Sequence, residues 1–316
     1  MLPELEDWFA RATWQDPRWD AASLSGAKAG RRVSVVLPAL DEQDTVAAVV
    51  AAVLPLTRGP SPLVDELMVL DSGSTDATRR VAAEAGARVV SREEALPGVP
   101  ARPGKGEVLW RSLAATTGDL VVFLDSDLVD VDTRFVTSLL GPLLTAPGVE
   151  LVKGFYRRPL RLLSAELDTG GGRVTELLAR PVITALCPRL AGVVQPLGGE
   201  YAATRDLLES LPFAAGYGVE LGLLIDTERT RGLHALAQVN LGVRKHRNRS
   251  LLQLGVMSRQ ILAAVLNRVP VPDSGEAIVQ FTQLDGQWLP TERPVETRDR
   301  PAMRELLSRR GGPAPR

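Results

Sequence analysis

Two carboxylates two residues apart, Asp125 and Asp127, are the clearest candidates for chemistry in this sequence. They follow Leu120 to Leu124, a short apolar run typical of a strand buried on both faces of a parallel sheet. Ligands of open α/β sheets bind at the carboxyl ends of strands. Hard divalent cations prefer oxygen ligands and keep substrate phosphates in their shell, so the pair predicts a site for Mg²⁺ or Mn²⁺ and a diphosphate. An isolated pair of this kind is as often part of a solvated loop. The other motifs in the sequence must therefore decide whether Asp125 and Asp127 form a metal site.

Two glycine-containing stretches are candidate anion sites. Lys105, between Gly104 and Gly106, opens a predicted helix whose first amides can approach a phosphate; a plain glycine-flanked helix start explains it equally well. The segment from Gly170 to Thr175 places three glycines, an arginine and a threonine before an apolar helix. Such an assembly suits a second phosphate or carboxylate, and we favour it over a flexible hinge because the arginine and threonine stand in capping positions.

Glu220 lies among glycine and apolar residues and can project into a cleft to bind sugar hydroxyls. The alternative is an ordinary acid at a helix start, where acids are favoured. Tyr217 and Asn248 are weaker candidates for sugar or acceptor contacts. His234 lies in an alternating strand and is interpreted as structural.

The elements that position these residues alternate over the first half of the chain. The predicted strands and helices are, in order, strands at 33–38, 65–70, 87–90, 120–124 and 150–155, and helices at 45–54, 77–85, 104–115 and 134–144. This alternation predicts a right-handed parallel α/β sheet with a nucleotide-binding half. A dinucleotide site is disfavoured because no G-x-G-x-x-G follows the first strand, and a P-loop motif is also missing.

The second half is less regular. It contains predicted helices at 176–185, from 205, at 216–230 and at 251–266, strands at 198–203 and 234–243, and a hairpin at 280–289 turning at Asp285-Gly286. We predict a docking arm at 1–30, a nucleotide-sugar-binding and acceptor-binding domain at 31–215, and a helical and hairpin region at 216–316. That last region would complete the site and form a dimer contact, with a disordered tail after about 310.

The bulk composition is that of a globular protein. The 316 residues are 45% hydrophobic and 24% charged, with a net charge of −1, which argues against nucleic-acid binding through a basic surface. Cys187 is the single cysteine, so an internal disulfide is impossible and a cytoplasmic location is expected. We expect no signal peptide and no membrane span, since no apolar run approaches about 18 residues.

Four motifs stand in one order: Pro38-Ala39-Leu40-Asp41-Glu42, Asp71 to Asp76, Gly104 to Gly106, and Asp125 to Asp127. Together they resemble the nucleotide-sugar-binding half of glycosyltransferases of the GT-A type, which have a single Rossmann-like sheet and a D-x-D. Gly170 to Thr175, Gly216 to Glu220 and His246-Arg247-Asn248 extend the likeness. Over its whole length the chain resembles the actinobacterial glucosyl-3-phosphoglycerate synthases, whose mannose-transferring relatives share the layout.

The resemblance implies an α/β GT-A-type fold with a mixed acceptor-binding half and a helical and hairpin C-terminal extension. It also implies roles on the donor side. The residues expected to bind the nucleotide are Pro38, Ala39, Leu40, Glu42, Ser72, Lys105, Asp125 and Ser126. Asp41 stands where the family usually has asparagine.

The resemblance further implies that Asp127 and His246 are the protein ligands of the metal, although a histidine in a basic run is otherwise read as a surface residue. The implied acceptor-binding residues are Gly172, Arg173, Val174, Thr175 and Asn248. The implied catalytic residues are Asp125, Asp127 and Glu220.

The implied reaction moves glucose from UDP-glucose to the 2-hydroxyl of D-3-phosphoglycerate with retention, the first step towards glucosylglycerate and methylglucose lipopolysaccharide, in a homodimeric enzyme. A double displacement needs a carboxylate nucleophile, for which Glu220 is the one obvious candidate, so we expect front-face attack. The alternatives are mannosyl transfer from GDP-mannose, transfer to a polyprenyl phosphate, and a non-catalytic nucleotide-sugar-binding protein.

Overall fold

The structure is a computed structural model that describes residues 2–157, 160–162, 165–167, 172–243, 250–273, 275–284 and 287–309. Several predictions fall elsewhere in the chain. His246, Asn248, Gly170, Gly171, the Asp285-Gly286 turn and the tail after about 310 lie outside the described residues.

The strands, numbered in chain order, are β1 (Thr13–Trp14), β2 (Val33–Ala39), β3 (Glu66–Asp71), β4 (Arg88–Ser91), β5 (Leu120–Phe123), β6 (Leu151–Arg157), β7 (Leu160–Leu162), β8 (Ala165–Leu167), β9 (Tyr201–Thr204), β10 (Leu236–Val243), β11 (Ala277–Leu284) and β12 (Gln287–Pro294). The helices are α1 (Pro3–Ala12), α2 (Ala21–Ala27), α3 (Val46–Val53), α4 (Thr78–Glu84), α5 (Arg92–Ala95), α6 (Lys105–Ala115), α7 (Arg134–Thr145), α8 (Arg180–Leu186), α9 (Arg205–Ser210), α10 (Val219–Arg231), α11 (Leu251–Leu266) and α12 (Met303–Arg309).

Eight strands form one sheet in the order β1-β10-β6-β9-β5-β2-β3-β4, and β7–β8 and β11–β12 form two separate hairpins. The strands β2 to β5 are parallel, as the alternation of elements predicts. β9 lies between β5 and β6 and runs antiparallel to both. The sheet is therefore mixed, which agrees with the predicted α/β fold and its mixed second half.

A core lies on each face of the sheet. Val35 and Val122 are register partners and belong to one core, whereas Val36 and Phe123 are the next partners and belong to the other. The first core contains α2, α3, α4 and α7, and the second contains α1, α6 and α8 to α12. Strands covered on both faces read as continuous apolar runs, which explains why β2, β3 and β5 were predictable.

The N-terminal arm closes one edge of the sheet. β1 pairs in parallel with β10, and the Trp8 indole donates a hydrogen bond of 2.8 Å to the carbonyl of Leu236. A paired edge is protected from pairing with other chains. β1 comes from the predicted arm and β10 from the predicted C-terminal region, yet both lie in the same sheet as the strands of residues 31–215. The sheet therefore does not separate the three predicted parts, and the division stays a prediction.

The C-terminal segment packs on α6 through a buried ion network. The Glu107 carboxylate accepts hydrogen bonds of 2.6 Å from Nε of both Arg111 and Arg300, and the Arg300 guanidinium stacks on Trp110. This network ties the region after β12 to the helix that begins at Lys105. In the part of the chain that the structure describes, no helix has the length and apolar character needed to cross a membrane.

Candidate active site

A cavity of about 460 Å³ opens at the carboxyl ends of β2, β3 and β5. Its lining residues are Pro38, Ala39, Leu40, Asp41, Glu42, Ser72, Gly104, Lys105, Val108, Asp125, Ser126, Asp127, Gly216, Tyr217 and Gln260. Every residue that was predicted to bind the donor nucleotide is among them. Their roles are still predictions, but the fold brings them to one place.

The turn after β2 is fixed by the turn after β3. Asp41 has a left-handed backbone with φ of 54°, a conformation that asparagine and aspartate tolerate better than most residues. Its carboxylate accepts a hydrogen bond of 2.8 Å from the amide of Thr75, and its own amide donates to Ser74 Oγ over 3.0 Å. An aspartate at the family's usual asparagine position thus keeps both the backbone shape and an acceptor oxygen.

The turn after β3 is held by a buried carboxylate. Asp71 is 1% exposed and accepts hydrogen bonds from the amides of Gly73 and Ser74, at 3.1 and 3.2 Å. The amide of Ser72 donates to the carbonyl of Ala39 over 2.8 Å. Ser72, which is predicted to bind the nucleotide, is therefore held in the cavity wall by a hydrogen bond of its own backbone.

The D-x-D turn is anchored from both sides. The Ser126 hydroxyl donates a hydrogen bond of 2.7 Å to the carbonyl of Pro38, which joins this turn to the one after β2. On the other side, a Cβ on Gly199 would lie 2.3 Å from both carboxylate oxygens of Asp125. Residue 199 can only be glycine while Asp125 keeps its position.

Lys105 joins two predicted catalytic acids. Its Nζ lies 2.5 Å from Oδ1 of Asp125 and 2.7 Å from Oε1 of Glu220, whose side chain is 3% exposed. Burial alone would lower the pKa of Lys105, but the two carboxylates outweigh it and raise that pKa well above its ordinary value. The lysine is therefore a permanent cation, and it connects Glu220 to the cavity lining, while the predicted role of Glu220 stays a prediction.

Two glycines allow this meeting. Gly104 and Gly216 have φ of +107° and +52°, and a Cβ on Gly104 would lie 2.9 Å from the Cα of Gly216. The backbones that begin α6 and precede α10 thus touch, which brings Lys105 and Glu220 within ion-pair distance.

A divalent cation fits the wall formed by Asp127. This carboxylate lines the cavity beside Asp125, whose own carboxylate is already bound to Lys105. Oxygen ligands and substrate phosphates are what Mg²⁺ and Mn²⁺ prefer. His246, the predicted second ligand, lies outside the described residues.

Of the predicted acceptor residues, Gly172 to Thr175 are described by the structure and are not among the residues that line the cavity, and Asn248 lies outside the described residues. Gly172 has φ of +76°, and its carbonyl accepts a hydrogen bond of 3.0 Å from the amide of Glu176. Arg173 and Val174 follow, and Thr175 begins a π-helical turn, Thr175–Ala179, that leads into α8. This turn contacts α11, the helix that carries Gln260 at the cavity. The acceptor assignment stays a prediction.

Sequence reasoning missed Gln260. Its Oε1 accepts a hydrogen bond of 3.0 Å from the amide of Tyr217, and both residues line the cavity. Gln260 follows Ser258 and Arg259 in a helix far along the chain from the motifs, so no local pattern marks it.

The comparisons with known proteins agree with this geometry. The family model described as glycosyl transferase family 2 matches residues 34–158. The chain is 59% identical over 302 residues to a glucosyl-3-phosphoglycerate synthase of Mycolicibacterium smegmatis, covering 96% of this chain and 99% of that protein.

Two crystal structures of glucosyl-3-phosphoglycerate synthase from Mycobacterium tuberculosis are also similar. One, in complex with Mg²⁺ and UDP, has a TM-score of 0.86 at 58% identity and covers 93% of this chain and 99% of that one. The other, in complex with Mn²⁺, UDP-glucose and phosphoglyceric acid, has a TM-score of 0.85 at 57% identity and covers 93% and 98%.

Proposed function

This chain belongs to the glucosyl-3-phosphoglycerate synthases, with residues 34–158 matching the glycosyl transferase family 2 model, and we propose that it transfers glucose from UDP-glucose to the 2-hydroxyl of D-3-phosphoglycerate. The products are glucosyl-3-phosphoglycerate and UDP. The observation that carries the proposal is the single cavity that joins the turn after β2, Ser72 and the D-x-D to the Lys105–Asp125–Glu220 cluster.

The donor would lie along the cavity floor. The turn from Pro38 to Glu42 and Ser72 would hold the uracil and the ribose, where a carboxylate at Glu42 can accept from ribose hydroxyls. Asp127, with His246, would hold the divalent cation against the diphosphate. Such a cation supplies Lewis-acid stabilisation of the charge that develops on the leaving diphosphate.

The transferred glucose would then face the side chains of Asp125 and Glu220, which Lys105 fixes in place. Carboxylates can accept hydrogen bonds from sugar hydroxyls and stabilise positive charge near the anomeric carbon. Because Glu220 is ion-paired with Lys105, we assign it to binding and charge stabilisation and not to nucleophilic attack. Retention then follows from front-face attack, with the leaving β-phosphate accepting the proton of the acceptor hydroxyl.

The acceptor would bind at the turn from Gly172 to Thr175, with Asn248. Arg173 offers a planar pair of donors for a phosphate or carboxylate, and Thr175 adds a hydroxyl. Both substrates are anionic, so the main task of the protein is to hold them in register for the reaction.

The direct test is to incubate the purified protein with UDP-glucose, D-3-phosphoglycerate and Mn²⁺ and to measure UDP release, with GDP-mannose as the competing donor. We expect release of UDP only when both substrates are present, and an α-glucosyl product by NMR. Release of GDP from GDP-mannose at a higher kcat/KM would instead identify a mannosyl transferase. Binding of UDP-glucose without turnover would identify a non-catalytic protein.

We also propose a cytoplasmic homodimer. The single cysteine is consistent with a reducing compartment. Val279 and Phe281, on one face of the β11–β12 hairpin, are each 55% exposed, and apolar surface of this kind favours a protein contact. Light scattering of the wild type and of Phe281→Asp tests the contact, and a dimer for both proteins would place the interface elsewhere.

A further inference from the structure

A second lysine, Lys153, lies buried behind the candidate active site. It stands in β6, is 3% exposed, and is the register partner of Tyr201 in β9. Its ammonium lies 4.6 Å from the centre of the Tyr201 ring. A lysine is almost never fully buried without a partner, so its position requires an explanation.

The ammonium of Lys153 holds the segment that packs on the D-x-D. It donates a hydrogen bond to the carbonyl of Gly198. The next residue is Gly199, whose Cα packs directly on the Asp125 carboxylate. One hydrogen bond therefore connects Lys153 to the backbone that supports Asp125.

Lys153 also belongs to the charge balance of the site. The charged and titratable groups that face it are Glu220, Lys105, Glu200, Asp125 and Tyr201. The group, counting Lys153 itself, contains two ammonium groups and three carboxylates, of which Glu200 and Glu220 are buried. Without Lys153, three carboxylates would share the charge of Lys105 alone, and like charges crowded in this way repel one another.

We propose that Lys153 is a positioning residue of the transfer reaction: it holds the Gly198–Gly199 segment against Asp125 and places a second ammonium group beside the carboxylates of the site. The inference rests on the proposed glucosyl transfer. Lys153 acts through Asp125 and Glu220 and does not itself touch substrate.

The pH dependence follows from the same burial. Burial lowers the pKa of Lys153 to about 8, although Glu220 opposes this effect. In the free enzyme, kcat/KM for UDP-glucose should therefore fall as the pH rises through about 8, because the neutral amine no longer balances the carboxylates.

The experiment compares Lys153→Met with Lys28→Met, a matched loss of a buried ammonium on the opposite side of the sheet. Lys28 is 7% exposed and pairs with Asp65 over 2.7 Å. UDP release by the wild type is measured first, so that failure of the proposed function is seen before any variant is compared. We expect Lys153→Met to lower kcat by about 100-fold, with KM for 3-phosphoglycerate little changed, and Lys28→Met to keep kcat.

The remaining readouts separate positioning from a general loss of structure. Lys153→Met should lack the fall in kcat/KM near pH 8, whereas Lys28→Met should keep it. Lys153→Arg, which stays charged, should retain most of kcat and shift the fall in kcat/KM to higher pH. This variant provides the test if Lys153→Met does not fold. Equal kcat losses in the two Met variants, wild-type kcat in Lys153→Met, or an unchanged basic limb in Lys153→Arg would each overturn the proposal.

Discussion

Lys105 lies 2.7 Å from Glu220, and this ion pair joins the first turn of α6 to the first turn of α10 beside the D-x-D. The two residues are far apart in sequence, and the contact between Gly104 and Gly216 brings them together. The ion pair can therefore form only when the two halves of the chain have folded into one site.

Replacing Glu220 by glutamine should lower kcat by about 100- to 1000-fold, because a preorganised charge beside the reacting sugar is lost. Glu228→Gln, further along the same helix and paired with Arg189 over 3.0 Å, is the matched control and should keep kcat. Steady-state UDP release measures both. A Glu220→Gln enzyme with wild-type kcat would remove this residue from the catalytic machinery.

Asp127→Asn should raise the Mn²⁺ concentration needed for half-maximal activity by at least about 100-fold. Even the loss of a residue that only supports a metal ligand lowers metal affinity or activity by about 10- to 100-fold. Titration of UDP release with Mn²⁺ gives the value. Asp132→Asn, which removes a neighbouring carboxylate bound to Arg134, should leave the titration unchanged. An unaltered Mn²⁺ requirement in Asp127→Asn contradicts the metal assignment.

Arg173→Ala should raise KM for 3-phosphoglycerate by about 10- to 100-fold, the effect of losing a charge-assisted hydrogen bond of about 1.5–3 kcal/mol. KM for UDP-glucose should stay the same. Arg180→Ala is the control, because Arg180 lies further along the same helical segment and is paired with Glu176 over 2.8 Å. If both variants change the acceptor KM equally, the effect comes from the segment and not from Arg173.

Glu107→Gln should lower the free energy of unfolding by about 3–5 kcal/mol, because it leaves the buried guanidinium groups of Arg111 and Arg300 without their shared carboxylate. Urea denaturation measures the loss. Arg304→Ala breaks an exposed pair with Asp206 in the same C-terminal segment and should cost less than about 1 kcal/mol. Similar losses in the two variants would show that the network contributes no more to the free energy of unfolding than an exposed ion pair does.

The lowered pKa of Lys153 predicts a pH-dependent stability. Its pKa is about 8 in the folded protein and 10.5 ordinarily, so between these values the unfolded chain binds the extra proton. The free energy of unfolding contributed by this residue should therefore rise with pH across that window, by up to roughly 3 kcal/mol. Urea denaturation of wild type and Lys153→Met tests it: their difference should change in favour of the wild type as the pH rises. Parallel curves would contradict the shift.

The first half of the fold was predictable because local signals agree. Val33 to Pro38, which is apolar except for Ser34, and the apolar run Leu120 to Leu124 are each followed by turn residues, and both form buried strands within one residue of the predicted bounds. The grouping of the predicted donor-site residues follows directly, because parallel strands bring their carboxyl ends to one edge.

Other features depend on contacts that no local pattern records. The antiparallel placement of β9 comes from its partners in β5 and β6, and β1 is only two residues long. Lys153 reads as a polar interruption of an apolar strand, and its role emerges only when Gly198 and Gly199 are seen beside it.

The insertion of β9 between β5 and β6 also sets an order for biosynthesis. While the ribosome is still making α7 and β6, the strand that ends at the D-x-D has only β2 available as a neighbour. An open strand edge is a template for pairing with other chains. A nascent chain can therefore cover this edge only after β9, Tyr201–Thr204, has been synthesised. Chains whose synthesis stops before β9 are the ones at risk of aggregating.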